Sequence, residues 1–216
     1  MRKSGLIGVV FAVTYTVGLF LDNGPAQKLT DAQTDAWYGS HSLGLWLVSS
    51  AIIAVAGLCA LGFSLVLSRR VAGPDAGATG SLLSGAGAVA AALVMVGAGL
   101  FGAIPAQHAF NHAPLPTAAT SRVMLGAAYA MIVLVAPLAF GVMMFCVSLL
   151  ALRNRTLPRW LAVAGFPLAV LQLANAVAPM VTLVLWSILT GVTLAVRRPA
   201  PALAAHVETR AERVSA

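Results

Sequence analysis

Charge is what this sequence has least of. Of its 216 residues, 9% are Asp, Glu, Lys or Arg, where a soluble domain carries about 25%. Acidic residues number only six. A water-soluble globule of this size is excluded, because it could not hide so much apolar surface. A disordered chain is excluded by the same composition. Cysteine occurs twice, as Cys59 and Cys146, which rules out a disulfide-framed scaffold. Recognisable catalytic strings are also missing. The chain has no P-loop, HExxH or GxSxG motif. None of its glycine runs follows a predicted strand, as a dinucleotide fingerprint requires. Asp, Glu, Lys, Arg and His are absent from the interior of every predicted helix. That argues against a proton-coupled transporter with a midplane carboxylate and against a buried Schiff-base lysine.

What the sequence has in excess is apolar residues, 60% of the chain, with a mean hydropathy of +0.92. A membrane helix needs about 20 of them in a row. Charge-free runs cover 5–21, 43–67, 82–104 and 123–152, and a final run covers 160–196. As one helix the final run would be about 55 Å long, nearly twice the hydrocarbon core. Asn175 and Pro179 divide it into 160–178 and 180–196. The basic residues agree with that division. Arg2, Lys3, Arg69, Arg70, Arg153, Arg155, Arg159, Arg197, Arg198, Arg210 and Arg213 all fall on one side if the final run crosses twice. Only Lys28 and Arg122 then lie outside. The expected fold is therefore all-α: a polytopic integral membrane protein with six transmembrane helices over 1–198, N-in/C-in, and a mobile cytoplasmic tail at 199–216. The expected location is the bacterial cell (inner) membrane. Gly24-Pro25-Ala26 is a poor cleavage site, so 5–21 reads as a retained helix. The formal charge of +7 is scattered over topology anchors, with no basic stripe interleaved with aromatics, so no nucleic-acid partner is expected.

Between the runs, Thr30 is placed to cap a short helix through Asp31, Gln33, Asp35, Trp37 and Tyr38. Trp37, Tyr38 and Trp46 suit an outer aromatic belt, and Trp160 an inner one. Pro105 and Pro114 are expected to limit the length of any helix around His108 and His112, and Pro137 to kink the fourth span. Gly85, Gly87, Gly97, Gly99 and Gly102 make the third span small-sided, suited to the bundle centre or to a homodimer face. Ser49, Ser50, Thr14 and Thr16 read as interhelical glue.

The segment Thr156-Leu157-Pro158-Arg159-Trp160-Leu161, the Leu/Val run after it, Leu185-Trp186 and Arg197-Arg198 together form a pattern. With Ala36-Trp37-Tyr38-Gly39-Ser40-His41, it resembles small actinobacterial membrane proteins of the DUF4386-type family of unknown function. The resemblance implies a six-helix topology and a source. It implies no activity and no catalytic residues.

Several residues can carry chemistry. His108 and His112 are spaced i, i+4, so on a helix they would share a face and offer two imidazoles to zinc or copper. His41, Asp35, Asp31, Asp22 or Asn111 would complete such a site. Gln172 and Asn175 sit one turn apart and suit either a structural bond or the polar end of a small-molecule pocket. Tyr15 reads as glue together with Thr14 and Thr16, or alternatively as a donor toward a bound ligand. Cys59 and Cys146 fall at similar depths. The leading functional reading is a compact bundle that binds a lipid, another apolar small molecule or a partner protein. One alternative is an intramembrane enzyme on an isoprenoid or lipid substrate, using Asp22, Asp35 and His41 for terpene-cyclase-like acid–base work. A second is an outer metal sensor built on His41, His108 and His112.

Overall fold

Backbone polar groups in hydrocarbon must pair within their own segment, which helices do. The structure is a computed structural model that describes residues 2–21, 24–25, 28–72, 76–172 and 177–196. Among these residues every regular element is helical. A 3₁₀ turn, Arg2–Gly5, leads into α1, Leu6–Phe20. Then come α2, Asp31–Ser40; α3, Leu43–Val71; and α4, Gly77–Asn111. The long α5, Ala118–Asn154, contains a π-helical stretch, Ala130–Val135. α6 is Arg159–Leu171 and α7 is Val177–Val196. Asp22, Asn175 and the tail at 199–216 lie outside the described residues.

Among the described residues four helices are long and apolar enough to cross a membrane: α3, α4, α5 and, within α7, Pro179–Val196. The other two apolar helices, α1 and α6, have 15 and 13 residues. Several ends differ from the sequence reading. α3 continues past Leu67 through Arg69 and Arg70 to Val71, because cations at a helix C-terminus complement its dipole rather than stop it. α4 begins at Gly77, not 82. It also runs through Pro105 to Asn111, since a proline deletes only one backbone bond.

The helices close into a ring in chain order: α1 packs on α3, α3 on α4, α4 on α5, α5 on α6, α6 on α7, and α7 on α1. α4 is therefore a wall of the ring, held between α3 and α5, rather than its centre. Aromatic side chains fill the middle. Phe11 of α1 meets Phe140 of α5 across the ring, with centroids 5.6 Å apart, and Phe63 of α3 meets Trp186 of α7 at 6.2 Å.

Five of the six seams are built on glycine. A Cβ on Gly8 would strike Phe63, and one on Gly18 would strike Ile53 (α1–α3). Gly57 accommodates Met95, while Gly87 and Gly102 accommodate Ser64 and Ser50 (α3–α4). Gly97 receives Ile132 (α4–α5), Gly165 receives Ser148 (α5–α6), and Gly191 lies on the backbone of Gly5 and Gly8 (α7–α1). Lipid offers no hydrophobic drive between helices, so close backbone approach supplies the attraction. The sixth seam, α6–α7, is tied by Gln172, whose Nε2 donates to Pro179 O at 3.2 Å and Thr182 Oγ1 at 2.8 Å. Ser49 does bridge helices, donating to Gly18 O at 2.8 Å. Thr14, Thr16 and Ser50 instead bond carbonyls of their own helices.

Outside the ring, each helix presents an apolar stripe. On α1 it is Leu6, Val10, Val13, Val17 and Phe20; on α7 it is Val181, Leu185, Leu189, Val192 and Val196. The ends of the ring are also sorted. Gly5 touches Gly191 and Ala195, Arg70 donates to Ser4, and Asn154 donates to Val71 O. The start of α1 and the ends of α3, α5 and α7 therefore meet at one end, the basic one.

Candidate functional site

At the opposite end α2 lies against the start of α5. Its entry is a capping box: Thr30 Oγ1 accepts from Gln33 N at 3.3 Å, and Gln33 Oε1 accepts from Thr30 N at 2.9 Å. Thr34 and Tyr38, one turn apart, form its buried face. The Tyr38 hydroxyl pairs with Ser121 of α5. Arg122 Nη2 donates to Asp31 Oδ1 at 2.6 Å, and its Nη1 donates to Leu29 O at 2.8 Å. Both partners of the ion pair are partly open to solvent, so its worth is about 0–1 kcal/mol. Two of the three residues expected to form the outer aromatic belt are instead buried. Trp46 is 0% exposed and lies edge-on between Trp37 at 5.7 Å and Phe101 at 5.8 Å, and Tyr38 is buried beside Trp37. Trp160 is exposed at the first turn of α6, where an interfacial anchor is expected.

Of the candidate acid–base residues, Asp35 and His41 both belong to the α2 segment, and Asp22 lies outside the described residues. Asp35 is exposed on α2. His41 caps the end of α2, its Nδ1 within 2.9 Å of Ser40 Oγ and 3.2 Å of Trp37 O, with its ring stacked on Trp37 at 4.5 Å. His108 sits in the last turn of α4, its Nδ1 3.0 Å from Ala113 O. His112 lies past the helix end in a left-handed conformation, φ 51°, so the two imidazoles do not share a helical face. Among the described residues no three of His, Cys, Asp and Glu gather as a metal would require. Cys146 is buried and Cys59 half-buried, and both are free thiols.

The ring interior holds the other candidates. Tyr15 is buried and its hydroxyl donates to Ile132 O of α5 at 3.4 Å. The reason lies in Pro137. Upstream of it the ladder runs in π register, with Ala136 N–H reaching Met131 O. In that register Ile132 O would take its hydrogen from residue 137, and proline has none. Tyr15 supplies it from a helix on the far side of the ring. Tyr15→Phe should therefore lower stability by about 0.6–1.7 kcal/mol, read as a lower thermal midpoint in detergent; an unchanged midpoint would show that this carbonyl needs no donor. Gln172 is buried, and among the described residues its Oε1 has no partner. Trp46 Nε1, Ser187 Oγ and Thr190 Oγ1 are likewise buried without partners among the described residues.

Sequence reading missed the Arg122–Asp31 and Tyr38–Ser121 pairs, because nothing local marks a contact across more than 80 positions. No family model, curated protein or solved structure matches the chain.

Proposed function

We propose that this chain is a six-span protein of a bacterial cytoplasmic membrane, with Gly5 and Val196 on the cytoplasmic side. We further propose that it acts as a binding bundle whose working surface faces the lipid. α1 with its preceding 3₁₀ turn reaches about 30 Å at ~1.5–2 Å per residue, enough for the hydrocarbon core. α6 is shorter, and a local thinning of the bilayer accommodates such a helix at a fraction of a kcal/mol per Å. The observation that carries the reading is the contrast between inside and outside. The ring seams are closed by glycine, serine and Gln172, while each of the six ring helices shows apolar side chains outward. A protein so built offers its surface to a lipid, an apolar small molecule or a partner protein. The likeness to small actinobacterial membrane proteins fits this topology and adds no chemistry.

Native mass spectrometry of the detergent-purified chain tests it. The expected spectrum shows a fixed stoichiometric adduct: a lipid-sized molecule, a partner or a second copy. A bare monomer under gentle release, from membranes in which the chain is abundant, would contradict the proposal.

A further inference from the structure

The basic end carries more than scattered anchors. Arg69 and Arg70 end α3, Arg153 and Arg155 end α5, and Arg159 opens α6. Hydrogen bonds tie the end of α5 to the end of α3, and the end of α3 to the turn before α1. Asn154 Nδ2 donates to Val71 O at 2.9 Å, fixing the end of α5 on the end of α3, and Arg70 Nη2 donates to Ser4 Oγ at 3.4 Å. Arg69, Arg153, Arg155 and Arg159 are exposed. The six acids of the chain are Asp22, Asp31, Asp35, Asp75, Glu208 and Glu212. Of these, Asp31 and Asp35 are described, and both lie on α2 at the opposite end. Asp22, Asp75, Glu208 and Glu212 fall outside the described residues.

Arg155 adds an independent observation. It follows the last residue of α5 with φ 53° and ψ 32°, the left-handed cap that helix ends commonly give to glycine. A side chain with a Cβ is disfavoured there. A guanidinium held at a glycine position points to a use for the charge. The level of the cluster identifies its partner. Trp160, next to Arg159, is exposed as an indole at a headgroup boundary is, and Val163 exposes an apolar side chain one turn further into the helix.

We propose that the ends of α3 and α5 and the start of α6 form a headgroup site for an anionic phospholipid, best filled by one with two phosphates. Arg155 and Arg153 would grip one phosphate and Arg69 the other. This rests on the membrane-spanning reading and names the lipid class for one part of its surface.

The test uses the full chain in nanodiscs or detergent, with diphosphatidylglycerol, phosphatidylglycerol and phosphatidylcholine as probes. Diphosphatidylglycerol should be retained about tenfold more strongly than phosphatidylcholine, and less so at high salt. Arg155→Gly relieves the left-handed strain, so its thermal midpoint without added lipid should stay equal or rise, while its preference for diphosphatidylglycerol collapses. Arg155→Lys should keep most of the preference. Equal retention of the three lipids, or an Arg155→Gly chain that binds like the parent, would overturn the proposal. Displacement of the lipid by inorganic phosphate would overturn the lipid assignment in favour of a free-anion site. If the spanning reading itself failed, the parent chain would be missing from the membrane fraction, an outcome distinct from an inserted chain without lipid preference.

Discussion

Gly191→Ala should destabilise the protein by about 3 kcal/mol, while Gly99→Ala should leave it unchanged or stabilise it by about 0.5–1 kcal/mol. The two substitutions add the same methyl group to membrane-type helices and differ only in what it meets. At Gly191 the new carbon would lie 2.8 Å from Gly5 O, 3.3 Å from Val9 N and 3.4 Å from Gly8 Cα, all backbone atoms of α1 and the 3₁₀ turn before it. Backbone cannot rotate away as a side chain can, so α7 must back off and the ring opens at its closing seam. At Gly99 nothing lies within 4 Å, and only the helix preference of alanine remains. Gly97→Ala, two residues away, should behave like Gly191→Ala in milder form, because its methyl meets mainly the Ile132 side chain, with one backbone atom, Ala128 O, at 3.2 Å. Thermal midpoints of the three variants in one detergent measure this ordering. A Gly99→Ala chain as damaged as Gly191→Ala would mean that the seams do not hold the ring.

Val13→Lys should cost about 2.5–3.5 kcal/mol of membrane insertion. Val13 is 51% exposed on the outer stripe of α1, with Val163 at 50% on α6 and Leu185 at 54% on α7. In water, exchanging such a side chain for lysine stays within about 0.5 kcal/mol. In hydrocarbon it strands an ammonium group about midway along a helix of 15 residues. The same reasoning applies to Val163→Lys, and α1 and α6 are the two helices whose length alone does not establish a crossing. Membrane-fraction yield of the variants, against Gly39→Lys on exposed α2, reads the effect. Full yield and unchanged stability of Val13→Lys and Val163→Lys would place those helices outside the lipid.

Which parts of this fold were legible follows from how far each signal reaches along the chain. The capping box at Thr30 and Gln33 was readable because its partners are three residues apart. The existence of each apolar helix was readable from charge-free runs, but the ends of α3 and α4 were not. A charge ends an apolar run without ending a helix, as Arg69 and Arg70 show, and Pro105 removes one bond without stopping α4. The role of Pro137 was half readable. Its missing donor was plain, whereas the answer to it joins a local π turn to the Tyr15 hydroxyl from a helix 117 positions away. Trp46 looked like a belt residue by composition and proved to be core, because α2 folds back over the helix ends and covers it through Trp37. The His and Asp candidates were chosen for their chemistry. Among the described residues no three of His, Cys, Asp and Glu gather as a metal would require, and the α4 terminus and α2 each end on their own caps.

Lipid should surround this ring, with its arginine end facing the cytoplasm. Single cysteines introduced as Ser4→Cys, Thr156→Cys, Ser40→Cys and Asn111→Cys, in a Cys59→Ala, Cys146→Ala background, test it with a membrane-impermeant thiol reagent on intact cells. Ser40→Cys and Asn111→Cys should label from outside, and Ser4→Cys and Thr156→Cys only after the membrane is opened. Labelling of Ser4→Cys and Thr156→Cys from opposite sides, or of all four on intact cells, would contradict the account.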